Sequence, residues 1–128
     1  MADTEKFTIN VSETDLGRIG LLVEQGFYST RTDFIRTAIR NHLSIYANAI
    51  EKAVTRRAFA VGVMTYTQED LNRHINSNEQ VDIRVVGMLS IAKDVSPELT
   101  AAAIRSIKVL GVFQASEEVK KALADRIL

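Results

Sequence analysis

The chain has 128 residues, 46% of them hydrophobic, with sixteen basic side chains balanced by sixteen acidic ones and no cysteine. That length suits one moderate domain or two small ones with ample material for a core, and the zero net charge excludes a broad field of either sign as the basis of any activity. Without cysteine there is no disulfide framework and no thiolate metal site; Met1 to Thr4 is too short and polar for a signal peptide and no apolar run approaches membrane-spanning length, so a cytoplasmic protein is expected.

The chain opens with strict alternation. Phe7, Ile9 and Val11 fall on one face of an extended segment, and Lys6, Thr8 and Asn10 fall on the other. So short a strand, with no second strand nearby in sequence, leaves its ladder groups unpaired unless another copy of the chain supplies the partner. A dimer is therefore expected. A helix follows, capped by Ser12 with Asp15 in capping-box spacing and stopped at Gly26. It carries Leu16, Ile19 and Val23 at helical spacing, with Gly17 and Gly20 inside it as points of close backbone approach. The next helix opens at Ser29 or Thr30, with Thr30 and Asp33 again spaced as a capping box, and runs at least to Leu43. Phe34, Ile35, Ala38 and Ile39 make it apolar on more than one side, as expected where two chains intertwine around one core.

The KFTINV strand, the SETDL start of the first helix and the GFYSTRTDFIRTAIRNHL second helix, in this order, resemble the ribbon-helix-helix DNA-binding proteins of the Arc, MetJ and CopG type. The resemblance covers about the first third of the chain. It implies that two chains pair their strands into an antiparallel ribbon that enters the major groove. Carried onto this sequence, Lys6, Thr8 and Asn10 are the base contacts. Their chemistry suits base edges: Lys donates to guanine, Asn pairs bidentately with adenine, and Thr offers a hydroxyl and a methyl. Phe7, Ile9, Val11, Leu16, Ile19, Val23, Phe34, Ile35, Ala38 and Ile39 then form the dimer core. Ser29, Thr30 and Arg31, at the positive end of the second helix, are the phosphate contacts that fix register without reading sequence. Up to Ala58 there are eight basic and seven acidic side chains, so the ribbon must act by local placement.

The helical pattern continues through Ile45, Tyr46, Ala49, Ile50 and Val54 to about Arg57 with no Gly or Pro, so residues 46–57 are expected to extend the second helix as a connector. Beyond it, Ile83-Arg84-Val85-Val86-Gly87 and Ile107-Lys108-Val109-Leu110-Gly111 repeat one pattern, and each leads to a capped helix start, at Ser96-Pro97-Glu98 and Ser116-Glu117-Glu118. A fainter copy precedes them, from Val61-Gly62-Val63 to Thr67-Gln68-Glu69. Three strand-helix units would form a small solenoid with strands side by side. The alternative is a compact α+β domain with a two-stranded sheet. The third unit runs to Leu128 with no polar terminal unit, so residues 58–128 are expected to associate with another copy.

The expected fold class is thus α+β: a ribbon-helix-helix domain over residues 1–45, a helical connector over 46–57 and a β-α repeat domain over 58–128. No Gly-rich phosphate loop is present, and His42 and His74 lie far apart with no Cys, so neither a metal nor a cofactor is expected; some relatives sense nickel through several His and a Cys, which this chain lacks. No nucleophile constellation suggests an enzyme. Tyr28 and Tyr66 read as packing residues. The expected function is a transcriptional regulator, such as a repressor, that binds operator DNA as a homodimer. The alternatives are an antitoxin whose C-terminal part neutralises a toxin protein, and a nucleoid-associated protein that coats DNA.

Overall fold

In the computed structural model, which describes residues 4–128, the chain divides into two compact units that meet between Asn48 and Ala49. The first contains residues 4–12, which lie in no helix or strand, helix α1 (Glu13–Glu24) and helix α2 (Arg31–Ile45). Ser12 caps α1 by accepting from the Asp15 N–H at 3.1 Å. The helix stops in a Schellman turn: Gly26 has φ 86°, its N–H reaches Val23 and the Phe27 N–H reaches Leu22.

The helix expected to run unbroken to Arg57 is interrupted at Tyr46, and the chain restarts as α3 (Ala47–Arg56). A local competitor explains the break. The Ser44 hydroxyl donates to the Asn41 carbonyl at 2.6 Å, and the Tyr46 N–H turns to Leu43 and Ser44 in a tightened last turn. Most of α3 falls in the second unit.

The second unit continues with β1 (Ala60–Tyr66), α4 (Gln68–Asn76), β2 (Val81–Ile91), α5 (Pro97–Ala103), β3 (Ile104–Gln114) and α6 (Glu117–Ala122). The three strands form one parallel sheet in chain order. Gly62 pairs with Gly87 and Gly87 with Gly111, so the spacing of these glycines in the sequence is the register of the sheet. All three have strongly positive φ, between 124° and 134°. A Cβ on Gly87 would come closer than 3.0 Å to the Gly62 carbonyl oxygen, and one on Gly111 equally close to that of Gly87, so no other residue fits at these positions of β2 and β3.

Helices α4, α5 and α6 cover one face. Leu71, Ala103, Val119 and Leu123 from them pack on Ile83, Val85, Leu89 and Ile107 of the strands in a core from which water is excluded. Each helix begins with a hydroxyl cap, Thr67, Ser96 or Ser116, and Thr67 forms a full capping box with Asp70. The Thr67 N–H and then its hydroxyl hold the Asp70 carboxyl below its usual range. Tyr66, half-buried against the core, has its phenol pushed up by burial and then by the Asp70 charge, and it serves packing as expected.

A β-bulge interrupts the β2–β3 register between Val81 and Asp82 and leaves Arg105 without an opposite residue. Asp82 locks it: its carboxylate accepts from the Arg105 guanidinium and, at 2.6 Å, from the Ser106 hydroxyl. The Arg105 bonds, and then that of Ser106, hold the Asp82 carboxyl far below the usual carboxylate range. The end of the chain is less bare than the sequence suggests. The Ile107 N–H donates to Arg126, the Leu128 N–H donates back to Ile107, and Arg126 donates to the carbonyls of Ala101 and Ile104. The last residues thus cover the beginning of the outer edge of β3.

Candidate nucleic-acid interface

The site begins with the alternating segment. Residues 5–11 belong to no helix or strand, and among the described residues no backbone hydrogen bond joins them to another part of the chain. The apolar side of the alternation has nothing to cover it: Phe7 is 72% exposed, Ile9 62% and Val11 47%. Lys6, Thr8 and Asn10, which alternate with them, are exposed as well. A polypeptide does not hold a run of unpaired ladder groups and three large apolar side chains in water by preference. Burying each apolar side chain would contribute about 1–2 kcal/mol.

The helices show the same deficit. Of the residues expected in the dimer core, Ile19 is buried within the chain, and Val23 and Phe34 are half-buried. Leu16, Ile35, Ala38 and Ile39 remain partly exposed, Leu16 and Ile39 at 41%, and Leu21 and Leu43 are more than half exposed. A unit this small with Ile19 as its buried hydrophobe lacks the core to stand alone. Tyr28 packs edge-on against Phe34 with ring centroids 5.0 Å apart, and His42 similarly against Tyr46 at 5.5 Å.

The start of α2 brings Ser29, Thr30 and Arg31 together at one exposed corner. Thr30 caps the helix by accepting from the Asp33 N–H at 2.9 Å. The other half of the expected capping box is displaced by one residue: the Asp33 carboxylate accepts from the N–H and the hydroxyl of Ser29, each at 3.3 Å. The spacing of Thr30 and Asp33 does not foretell this exchange. Asp33 already supplies one negative charge to the helix end, and the Ser29 donors are turned to it. The Arg31 guanidinium forms no ion pair among the described residues.

A sequence model of the ribbon-helix-helix transcriptional regulator family matches residues 2–120. The chain belongs to that family, whose regulators typically bind DNA and form dimers. The match runs well past the first third that carried the resemblance, through the whole parallel sheet and into α6. No curated protein and no solved structure matches the chain. Among the described residues, no helix is long and apolar enough to cross a membrane.

Proposed function

We propose that the protein is a sequence-specific transcriptional regulator in which residues 5–11 of two copies pair as an antiparallel ribbon and enter the major groove of operator DNA. One observation supports this reading: in the alternating segment Phe7, Ile9 and Val11 are uncovered, and Lys6, Thr8 and Asn10 between them are exposed. Pairing two copies satisfies the backbone and sets Phe7, Ile9 and Val11 on the exposed apolar sides of α1 and α2. The polar side then remains for base edges, with donors and acceptors that fit guanine, adenine and thymine.

The start of α2 holds the ribbon in register by gripping a backbone phosphate. Thr30 and Arg31 meet the phosphate first, because Asp33 engages Ser29. Residues 58–128 serve assembly.

Methylation interference tests the groove. Methylating guanine N7 in the major groove of the bound site is expected to block binding, and minor-groove methylation of adenine N3 is expected to leave it intact. The reverse pattern would contradict ribbon insertion.

A further inference from the structure

The face of the β1–β3 sheet turned away from α4, α5 and α6 is left open by the helices of the second unit. Its composition follows from the register. Val61, Val86 and Leu110 form one row across the three strands, and Val63, Met88 and Val112 form the next. None of the six belongs to the core cluster on the helical side. Val61 and Val63 are each 68% exposed and Leu110 48%. A row with Arg84 and Lys108 lies on one side of this apolar block, and the Thr65, Ser90, Gln114 row lies on the other. Parallel sheets are stable when both faces are covered, and here the helices take only one.

We propose that this open face stacks on the same face of a second copy of the chain, the strands of the two sheets running antiparallel across the interface. The proposal rests on the assembly role given to residues 58–128 and names its surface. Three features select a second copy as the occupant. Regulators of this family typically form dimers, so an identical face accompanies every chain at high effective concentration. The polar pattern favours one orientation, in which like charges do not face each other. With the twofold axis lying over the glycine row, Val86 covers Met88 of the other copy, and Lys108 and Arg84, whose guanidinium also donates to the Arg57 carbonyl of its own chain, come over Gln114 and Ser90, which offer oxygen acceptors. The opposite orientation would set the cations of both copies in one row.

Area is the third feature. The exposed apolar and flanking side chains supply on the order of 500 Å² per copy, so the pair buries roughly 1,000 Å², the lower limit for a specific interface. That is too little for strangers to associate firmly and enough for copies already joined. Two cations flanking an apolar centre do not suit a phosphate backbone, so nucleic acid is not the occupant of this face.

Site-directed crosslinking of the full chain tests the proposal, since the natural sequence has no cysteine and each variant carries a single thiol. Met88→Cys on the open face is compared with Lys121→Cys, exposed on α6. A short bifunctional maleimide is expected to convert Met88→Cys into covalent pairs about tenfold more completely than Lys121→Cys. Adding Val63→Glu to Met88→Cys should return it to the control level while circular dichroism stays native. Equal, low crosslinking of both single variants in a folded dimer would overturn the proposal. DNA binding, read separately, addresses the ribbon: crosslinking in a protein that ignores DNA keeps the stacked face and removes the regulator reading.

Discussion

Replacing Gly87 by alanine attacks the sheet at the point where its strands come closest, and the cost can be worked from the backbone. Gly62, Gly87 and Gly111 share a positive φ of 124° to 134°, a conformation essentially reserved for glycine. Any side chain there costs about 1–3 kcal/mol in strain. At Gly62 that is the whole cost, because nothing lies within 4 Å of an added Cβ. At Gly87 and Gly111 the Cβ would meet a neighbouring carbonyl oxygen at less than 3.0 Å, and the strands must separate to admit it. Overpacking of this kind adds about 1–3 kcal/mol. Gly87→Ala and Gly111→Ala should each cost about 2–6 kcal/mol, a large share of the roughly 5–15 kcal/mol typical of a domain, and Gly62→Ala about 1–3 kcal/mol. Urea unfolding followed by far-ultraviolet circular dichroism measures all three, provided the slopes with urea agree. Equal midpoints for Gly62→Ala and Gly87→Ala would refute the argument, since only the second places a methyl group against backbone.

Ala58 closes α3 in a Schellman turn at φ 55°, with the Phe59 N–H on Val54, so Ala58→Gly should stabilise the protein by about 0.5–1 kcal/mol, seen as a raised thermal midpoint. The Asp82 carboxylate binds its proton more weakly in the folded chain than in the unfolded one. Its contribution is therefore complete above the ordinary value of 3.8 and is lost as pH falls below it. Asp82→Asn should lower stability at pH 7 and flatten its decline between about pH 4 and pH 2, checked by urea midpoints across that range. Asp33→Asn removes a negative charge from the start of α2 and should tighten DNA binding about two- to fivefold at low salt, while costing about 0.5–1 kcal/mol in helix stability. Unchanged affinity would show that no phosphate sits at that helix end.

Much of this architecture was legible because the signals are local. Ser12, Thr30, Thr67, Ser96 and Ser116 all cap helices where the sequence places hydroxyls before an apolar pattern. The repeat read from Gly87 and Gly111, and faintly from Gly62, is the pairing register, because parallel strands that repeat at one spacing must align equivalent residues. The break at Tyr46 was hidden because it arises from the Ser44 hydroxyl reaching Asn41, a choice between two hydrogen bonds that periodicity does not record. The Asp33 side chain likewise had two donors within reach, Thr30 and Ser29, and spacing alone favoured the wrong one. The open sheet face did leave a trace. In β2 and β3 both alternating sets are apolar, with Val86 and Met88 beside Val85 and Leu89, which is the pattern of a strand meant to be covered on both sides. The alternating N-terminal segment follows the same rule, and its apolar side is uncovered within one chain.

The central claim is that Lys6, Thr8 and Asn10 read DNA sequence, and fluorescence anisotropy tests it most directly. The purified protein is titrated with DNA from upstream of its own gene and with a scrambled duplex at two salt concentrations, beside a variant carrying Lys6→Ala, Thr8→Ala and Asn10→Ala. The natural protein should prefer its own upstream DNA at both salts. The variant should remain dimeric and bind both duplexes alike, weakly and with steep salt dependence, because its phosphate contacts survive while its base contacts are gone. A variant that keeps the preference would contradict the account, since sequence would then be read by another part of the chain.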